Sequence, residues 1–270
     1  MDFPQSRQPF YQEIKKTPID LGKAALCIAL EEYPDLDIDA YLQRLDGYAE
    51  DIAQQLPQER YPLRVINALN SYLFETLKFR GNQENYYDPK NSFLNDVLER
   101  RVGIPITLSV VYLELAKRLQ FPMVGVGMPG HFIIRPDFED AGIFVDAFNG
   151  GEVLFPEDCE RRLTQIYGRP ISLQPEFLEP VSSEQILVRM LTNLKAIYIA
   201  QQEISKALAA IERILLLAPD AVLELRDRGL IYYQSGQAIA ASQDLERYLS
   251  LRPDAPDAST IQRILGRLEQ

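Results

Sequence analysis

The four-residue signature Leu217-Ala-Pro-Asp220 returns as Leu251-Arg-Pro-Asp254, 34 residues later, and no other feature constrains the fold of this chain more. A fixed period of that length means one helix-turn-helix unit, repeated and stacked on its neighbour. The register holds inside the copies: Leu191, Leu194, Tyr198, Ala207, Ile211, Ile214 and Pro219 fall on Leu225, Arg228, Tyr232, Ala241, Leu245, Tyr248 and Pro253. Gly229 takes the small-residue position where the two helices of a copy meet, and Lys195 stands there in the first copy. Residues 256–268 read as a single capping helix. Two copies and a cap are fewer than the three such arrays need to stand alone, so the array is expected to lean on what precedes it.

What precedes it is helices followed by strands, an α+β pattern rather than alternating βαβ units. Asp20–Tyr33 reads as a helix capped by Asp20 and ended by Pro34. Ile38–Gln55 carries an apolar stripe of Tyr41, Leu42, Leu45, Tyr48 and Ile52, and Pro62–Phe79 one of Val65, Ile66, Leu69, Leu73 and Leu77. Gly81-Asn82 reads as a helix stop, and Asn91 or Ser92 as the cap of a short helix through Glu99. Pro105–Leu119 is apolar on nearly every side, as a helix buried within a domain must be. Four short runs rich in β-formers follow, Met123–Val126, Phe132–Arg135, Ile143–Asp146 and Glu152–Phe155, punctuated as an antiparallel meander. The expected division is 1–170 for this domain, 171–183 for a polar, patternless linker and 184–270 for the repeats.

Charge narrows the choice of partners. The chain carries 28 Lys+Arg against 39 Asp+Glu, a net charge of −11. Residues 1–180 hold 18 basic and 28 acidic side chains, and the stretch Glu31–Glu59 has nine carboxylates and one base, Arg44. Such a surface repels phosphate backbones and anionic lipid, which argues against nucleic acid and membrane partners. The N-terminus has no apolar leader segment, which reads as cytoplasmic. Cys27 and Cys159 read as free thiols rather than a disulfide framework. Asp35, Asp37 and Asp39 have the spacing of a calcium loop, but Ala40 stands where it needs glycine and Asp46 where it needs glutamate. No metal and no cofactor is expected. Oligomeric state is not legible.

The run NSFLNDVLERRVGIPITLSVVYLELAKRLQFPMVGVGMPGHFIIR, followed by FVDAFNGGEVL, resembles the SirB-type branch of the transglutaminase-like superfamily. The upstream ALCIALEEYPDLDIDAYLQRLD fits that branch's helical lead-in, so the likeness spans residues 20–165; the 34-residue units resemble tetratricopeptide repeats. The resemblance implies a transglutaminase-like core with antiparallel strands, followed by an all-α repeat domain. It also implies a Cys-His-Asp triad, with His131 and Asp146 at the histidine and aspartate positions. A thiol at a helix start is acidified by the helix dipole, and the aspartate orients the imidazole that takes its proton.

The cysteine is missing. Its place falls near Pro105, among Ile104, Pro105, Ile106 and Thr107. This implies a pseudo-transglutaminase, a non-catalytic binding or adaptor protein for a protein or peptide. Its cleft would be lined by His131, Asp146, Asn91, Thr107 and Asn149, with the repeats offering a second groove. The alternative is a papain-like hydrolase or acyltransferase using Cys159, or the hydroxyl of Thr107 or Ser109, with His131 and Asp146. A third reading leaves His131 as a structural histidine fixed by Asp146.

Overall fold

The computed structural model describes residues 5–56, 61–138 and 142–268. It forms two compact units, Met1–Met190 and Leu191–Gln270. The first begins with helices α1 (Gln8–Glu13), α2 (Leu21–Ala29), α3 (Ile38–Gln55) and α4 (Pro62–Asn70). Asp20 caps α2 by accepting from the Lys23 N–H, and Asp37 caps α3 by accepting from that of Ala40. Helix α2 stops at Ala29 rather than Tyr33, and residues 30–33 turn ahead of Pro34. Beyond Asn70 the expected helix widens into a π-helical turn, Ser71–Thr76, closed by the Leu77 N–H on the Tyr72 carbonyl at 2.8 Å. Lys78, with φ of 61°, ends it. Gly81 is not the stop. It lies in strand β1 (Arg80–Gly81), where a Cβ would stand 2.6 Å from the Phe148 ring.

Strand β1 pairs in parallel with β2 (Val102–Gly103), on the far side of α5 (Leu94–Arg100). Neither Asn91 nor Ser92 caps α5: the cap residue is Phe93, and it offers no side-chain acceptor. Helix α6 (Pro105–Arg118) is the centre of this unit, buried at every position from Pro105 to Ala116. Pro105 occupies its first position, where a missing N–H is harmless. Glu114 is buried on it at 2% exposure, accepting from the Gly22 N–H at 3.0 Å and pairing with Arg118 at 2.6 Å. A Cβ on Gly22 would lie 2.6 Å from that carboxylate, so glycine is what lets α2 close on α6.

Against α6 lies an antiparallel sheet in the order β6-β5-β4-β3-β7. Its strands are β3 (Met123–Val126), β4 (Ile133–Pro136), β5 (Phe144–Asp146), β6 (Glu152–Leu154) and β7 (Pro180–Val181). The expected meander forms with ends displaced by a residue, and His131 sits in the turn before β4 rather than on it. Helix α7 (Pro156–Tyr167) follows β6. Residues 171–183, expected as a linker, are built into the unit. Ile171, Leu173, Phe177 and Leu178 pack on a core of Val126, Met128, Ile133, Phe144, Leu154, Cys159 and Leu163, and β7 pairs with Gly125 and Val126.

Helix α8 (Ser183–Ala200) runs on into the second unit, which continues with α9 (Ile204–Leu217), α10 (Val222–Gln234), α11 (Ala238–Leu251) and α12 (Ala258–Leu268). Ile211, Leu225, Leu245, Tyr248 and Ile261 form its core. A Cβ on Gly229 would meet the Leu245 side chain at 2.8 Å, whereas Lys195 reaches Glu224 at 2.7 Å and Asp227 at 3.1 Å. Lys195 and Glu224 are 11% and 10% exposed, so removing the cation strands a largely desolvated carboxylate. Lys195→Met is expected to lower stability by about 3 kcal/mol in urea denaturation; an unchanged midpoint would mean the pair contributes nothing.

Candidate functional site

Two turns bring His131 and Asp146 together. Gly130, at φ of 72°, lets the chain reverse so that the His131 N–H donates to the Met128 carbonyl at 3.0 Å. Asp146 ends β5 and nucleates the next turn: its Oδ1 accepts from the N–H groups of Phe148 at 3.1 Å and Asn149 at 3.2 Å. Its Oδ2 accepts from Asn149 Nδ2 at 2.8 Å and lies 2.7 Å from His131 Nε2. Gly150 and Gly151, at φ of 70° and 78°, finish the loop, and Asn70 Nδ2 fastens it through the Gly151 carbonyl at 2.7 Å. A Cβ on Gly151 would lie 2.2 Å from Asn70 Oδ1, so glycine at 151 is a steric requirement here.

Asp146 is fully buried, which by itself raises its pKa. The hydrogen bond and charge of His131, the Asn149 amide and the Arg162 guanidinium outweigh burial and hold it below 3.8. An ionised carboxylate only accepts, so His131 Nε2 carries the proton between them. The other ring nitrogen, Nδ1, has no hydrogen-bond partner among the described residues, although His131 is only 7% exposed. The ring stands edge-on to Phe148, 6.3 Å between centroids. This is an oriented imidazole with one ring nitrogen open.

The other anticipated residues serve different ends. Asn91 is fully buried, and its amide holds the preceding loop: Nδ2 donates to the Asn85 carbonyl at 2.8 Å and the Tyr86 carbonyl at 3.1 Å, and Oδ1 accepts from Asn82. Thr107 Oγ1 donates to the Asn91 carbonyl at 2.7 Å and accepts from the Ile104 N–H at 3.1 Å, which fixes the start of α6. Ser109 Oγ is buried with no hydrogen-bond partner among the described residues. Cys159 lies in the apolar core with Leu154 and Leu163, and burial, then Asp158 and Asp146, push its pKa up to about 12. Asn149, half-buried, is the one anticipated binding residue that touches the His131–Asp146 pair.

Sequence reasoning missed Arg162, whose guanidinium lies 3.7 Å from Asp146 and 2.6 Å from Glu152, and Arg189, whose Nη2 donates to the His131 carbonyl at 2.6 Å. A cavity of about 600 Å³ lies elsewhere in this unit, lined by Ile19, Leu113, Phe121, Val124 and Ile186. It includes none of the anticipated site residues. Among the described residues no group of three or more His, Cys, Asp or Glu is placed to hold a metal, and no helix is long and apolar enough to cross a membrane.

Residues 39–192 match the sequence profile of the transglutaminase-like superfamily, and residues 194–266 that of a tetratricopeptide repeat. The fold and these matches define a transglutaminase-like domain followed by tetratricopeptide repeats. A UPF0162 protein of Xylella fastidiosa is 39% identical over 247 residues, covering 90% of this chain and 88% of the relative. A UPF0162 protein of Pseudomonas aeruginosa is 30% identical over 262 residues, 97% and 96% of the two chains. The chain belongs to this UPF0162 family. F-box only protein 21 of Mus musculus is also similar, 30% identical over 190 residues, which are 64% of this chain and 28% of that one.

Two outcomes follow from the electrostatics. A carboxyl whose folded-state pKa lies below its unfolded value adds stability that is present above about 3.8 and is lost as pH falls through the folded value. Asp146→Asn is therefore expected to lower stability by about 2 kcal/mol at neutral pH, a gap to wild type that narrows in acid denaturation; a gap independent of pH would remove the charge from the explanation. Cys159, raised from 9.0 to about 12, holds about a thousandfold less thiolate than an ordinary thiol. Iodoacetamide should leave it unmodified in native protein at pH 8 and modify it in urea, as read by mass spectrometry of the peptide. Rapid native alkylation would return Cys159 to the list of nucleophiles.

Proposed function

We propose that this chain is a non-catalytic, cytoplasmic binding protein whose His131–Asp146 site recognises a protein or peptide segment, with the repeats as a second contact surface. The observation that carries this reading is the oriented His131 imidazole without a nucleophile hydrogen-bonded to it. Nε2 faces Asp146, Nδ1 meets no described hydroxyl or thiol, and the Thr107 hydroxyl is engaged at the start of α6. The surroundings support recognition. Tyr87, Tyr86 and Tyr167 are 71%, 37% and 47% exposed, and Tyr86 stacks edge-on against Phe148, which contacts His131. Exposed aromatics are the side chains most enriched at protein interfaces. Tetratricopeptide repeats commonly contact proteins, and a region like this one recurs inside the longer F-box only protein 21.

The rival reading, a hydrolase or acyltransferase, draws on the buried and unpartnered Ser109 hydroxyl. Affinity purification followed by calorimetry with the purified partner separates the two. A partner bound by wild type should bind about tenfold more weakly to His131→Ala and Tyr87→Ala, and equally well to Ser109→Ala. Equal binding by His131→Ala, or cleavage or acylation of the partner that Ser109→Ala abolishes, would overturn the proposal.

A further inference from the structure

Arg189 differs from three other half-buried arginines in what it lacks. Arg118 reaches Asp46 and Glu114 at 2.6 Å, Arg162 reaches Glu152 at 2.6 Å, and Arg228 reaches Asp244 at 2.6 Å. Arg189 meets none among the described residues. Its Nη2 donates to two backbone carbonyls, Met128 at 3.2 Å and His131 at 2.6 Å, and its guanidinium lies over the Phe132 ring at 5.4 Å. The hydrogens of Nη2 are thereby occupied, while those of Nε and Nη1 have no acceptor among the described residues. Burial lowers the pKa of this arginine, whereas for Arg118 and Arg228 the carboxylate hydrogen bonds outweigh burial and raise it. A largely desolvated cation without an anion is an unfavourable arrangement for a fold to maintain.

Its position gives the deficit a use. Arg189 grips the turn that presents His131, and the electrostatic neighbours of its guanidinium are the phenols of Tyr86 and Tyr167. The Tyr167 ring packs beside Gly130, about 3.8 Å from where a Cβ would stand. Burial raises the Tyr86 pKa, which keeps its hydroxyl protonated and able to donate. The Arg189 cation and the Tyr167 phenol thus flank the turn that presents His131, and the Tyr86 ring packs on the Phe148 ring beside it.

We infer that Arg189, with the hydroxyls of Tyr86 and Tyr167, forms an oxyanion-binding subsite beside His131, which anchors an acidic group of the bound segment. This rests on the binding reading above and adds the chemistry of its ligand. The oxyanion is carried as a carboxylate or as a phosphoryl group, and small anions tell the two apart. The net charge of −11 opposes free anions in general, so specific binding should be weak, saturable and dependent on Arg189.

The chain has a single histidine, so its ring resonances report on His131 without ambiguity. Acetate and inorganic phosphate are titrated separately into the isotopically labelled full chain at fixed pH, against chloride at matched ionic strength. Wild type should show saturable shifts of the His131 ring and of the Arg189 Nε signal. Acetate identifies a carboxylate site, phosphate a phosphoryl site, and a response to both an unselective one. Arg189→Gln should weaken the response at least about tenfold, and Tyr167→Phe by less. Because Arg189 also braces the turn, Arg189→Lys is measured beside it: it keeps the charge and should retain part of the binding, with the anion-free His131 signal reporting that the turn is intact. No saturable shift in wild type, or the same curve in Arg189→Gln, would mean an adventitious ion only and overturn the subsite. The titration needs no partner, so its failure leaves the binding reading to the His131→Ala test.

Discussion

One helix imposes its demands on the whole first unit. Helix α6 is buried around its full circumference, so every side of it has to be covered by something else. Helices α2, α3, α4 and α5 supply the cover on some sides, and β3, β4 and the turn after β5 on others. Burial of that extent also traps the polar groups a helix carries. Glu114 is tolerated because Gly22 brings a backbone N–H to it and Arg118 closes the ion pair. The Tyr112 hydroxyl is tolerated because Asn70 Oδ1 accepts from it at 3.1 Å. That same Asn70 holds the Gly151 carbonyl, so the packing of α6 and the shape of the Asp146 loop share one side chain.

The site is thus an outgrowth of the core rather than a loop laid over it. Asp146 gathers four donors besides its long contact to Arg162, three from its own turn at Phe148 and Asn149 and one from His131 in the turn before β4. The start of α6, where the resemblance puts a triad nucleophile, is occupied by Pro105 and by a threonine whose hydroxyl seals the helix end. The orientation of the imidazole and the sealing of that helix end depend on different elements.

Much of this was legible in the sequence wherever side-chain periodicity and burial agree. Helix α3 and strand β3 fall where their patterns put them, and the repeat was plain from its spacing. His131 and Asp146, which the resemblance sets at the histidine and aspartate positions of a triad, meet at 2.7 Å. What escaped notice depends on contacts between distant segments. The π-turn after Asn70 keeps the apolar spacing of an α-helix, so its pattern conceals the change of winding. The pairing of β1 with β2 involves two residues each, too few for any periodicity. Gly81 looked like a helix stop because the ring of Phe148 that requires it lies 67 residues away. Arg189 looked like a residue of the repeat array, because nothing near it in sequence indicates the carbonyls it holds.

Strand β7 has a wider implication. The amide and carbonyl groups along the open side of β3 are ladder positions, and Pro180 and Val181 occupy them opposite Val126 and Gly125. A proline in that place is tolerated because β7 is itself an outermost strand and needs no donor facing away from the sheet. The segment works as a selvedge, a finished margin woven from the same thread. A fragment ending at 170 would expose β3 along its length and invite pairing with a second molecule. The natural cutting point of this chain lies inside α8, beyond the margin.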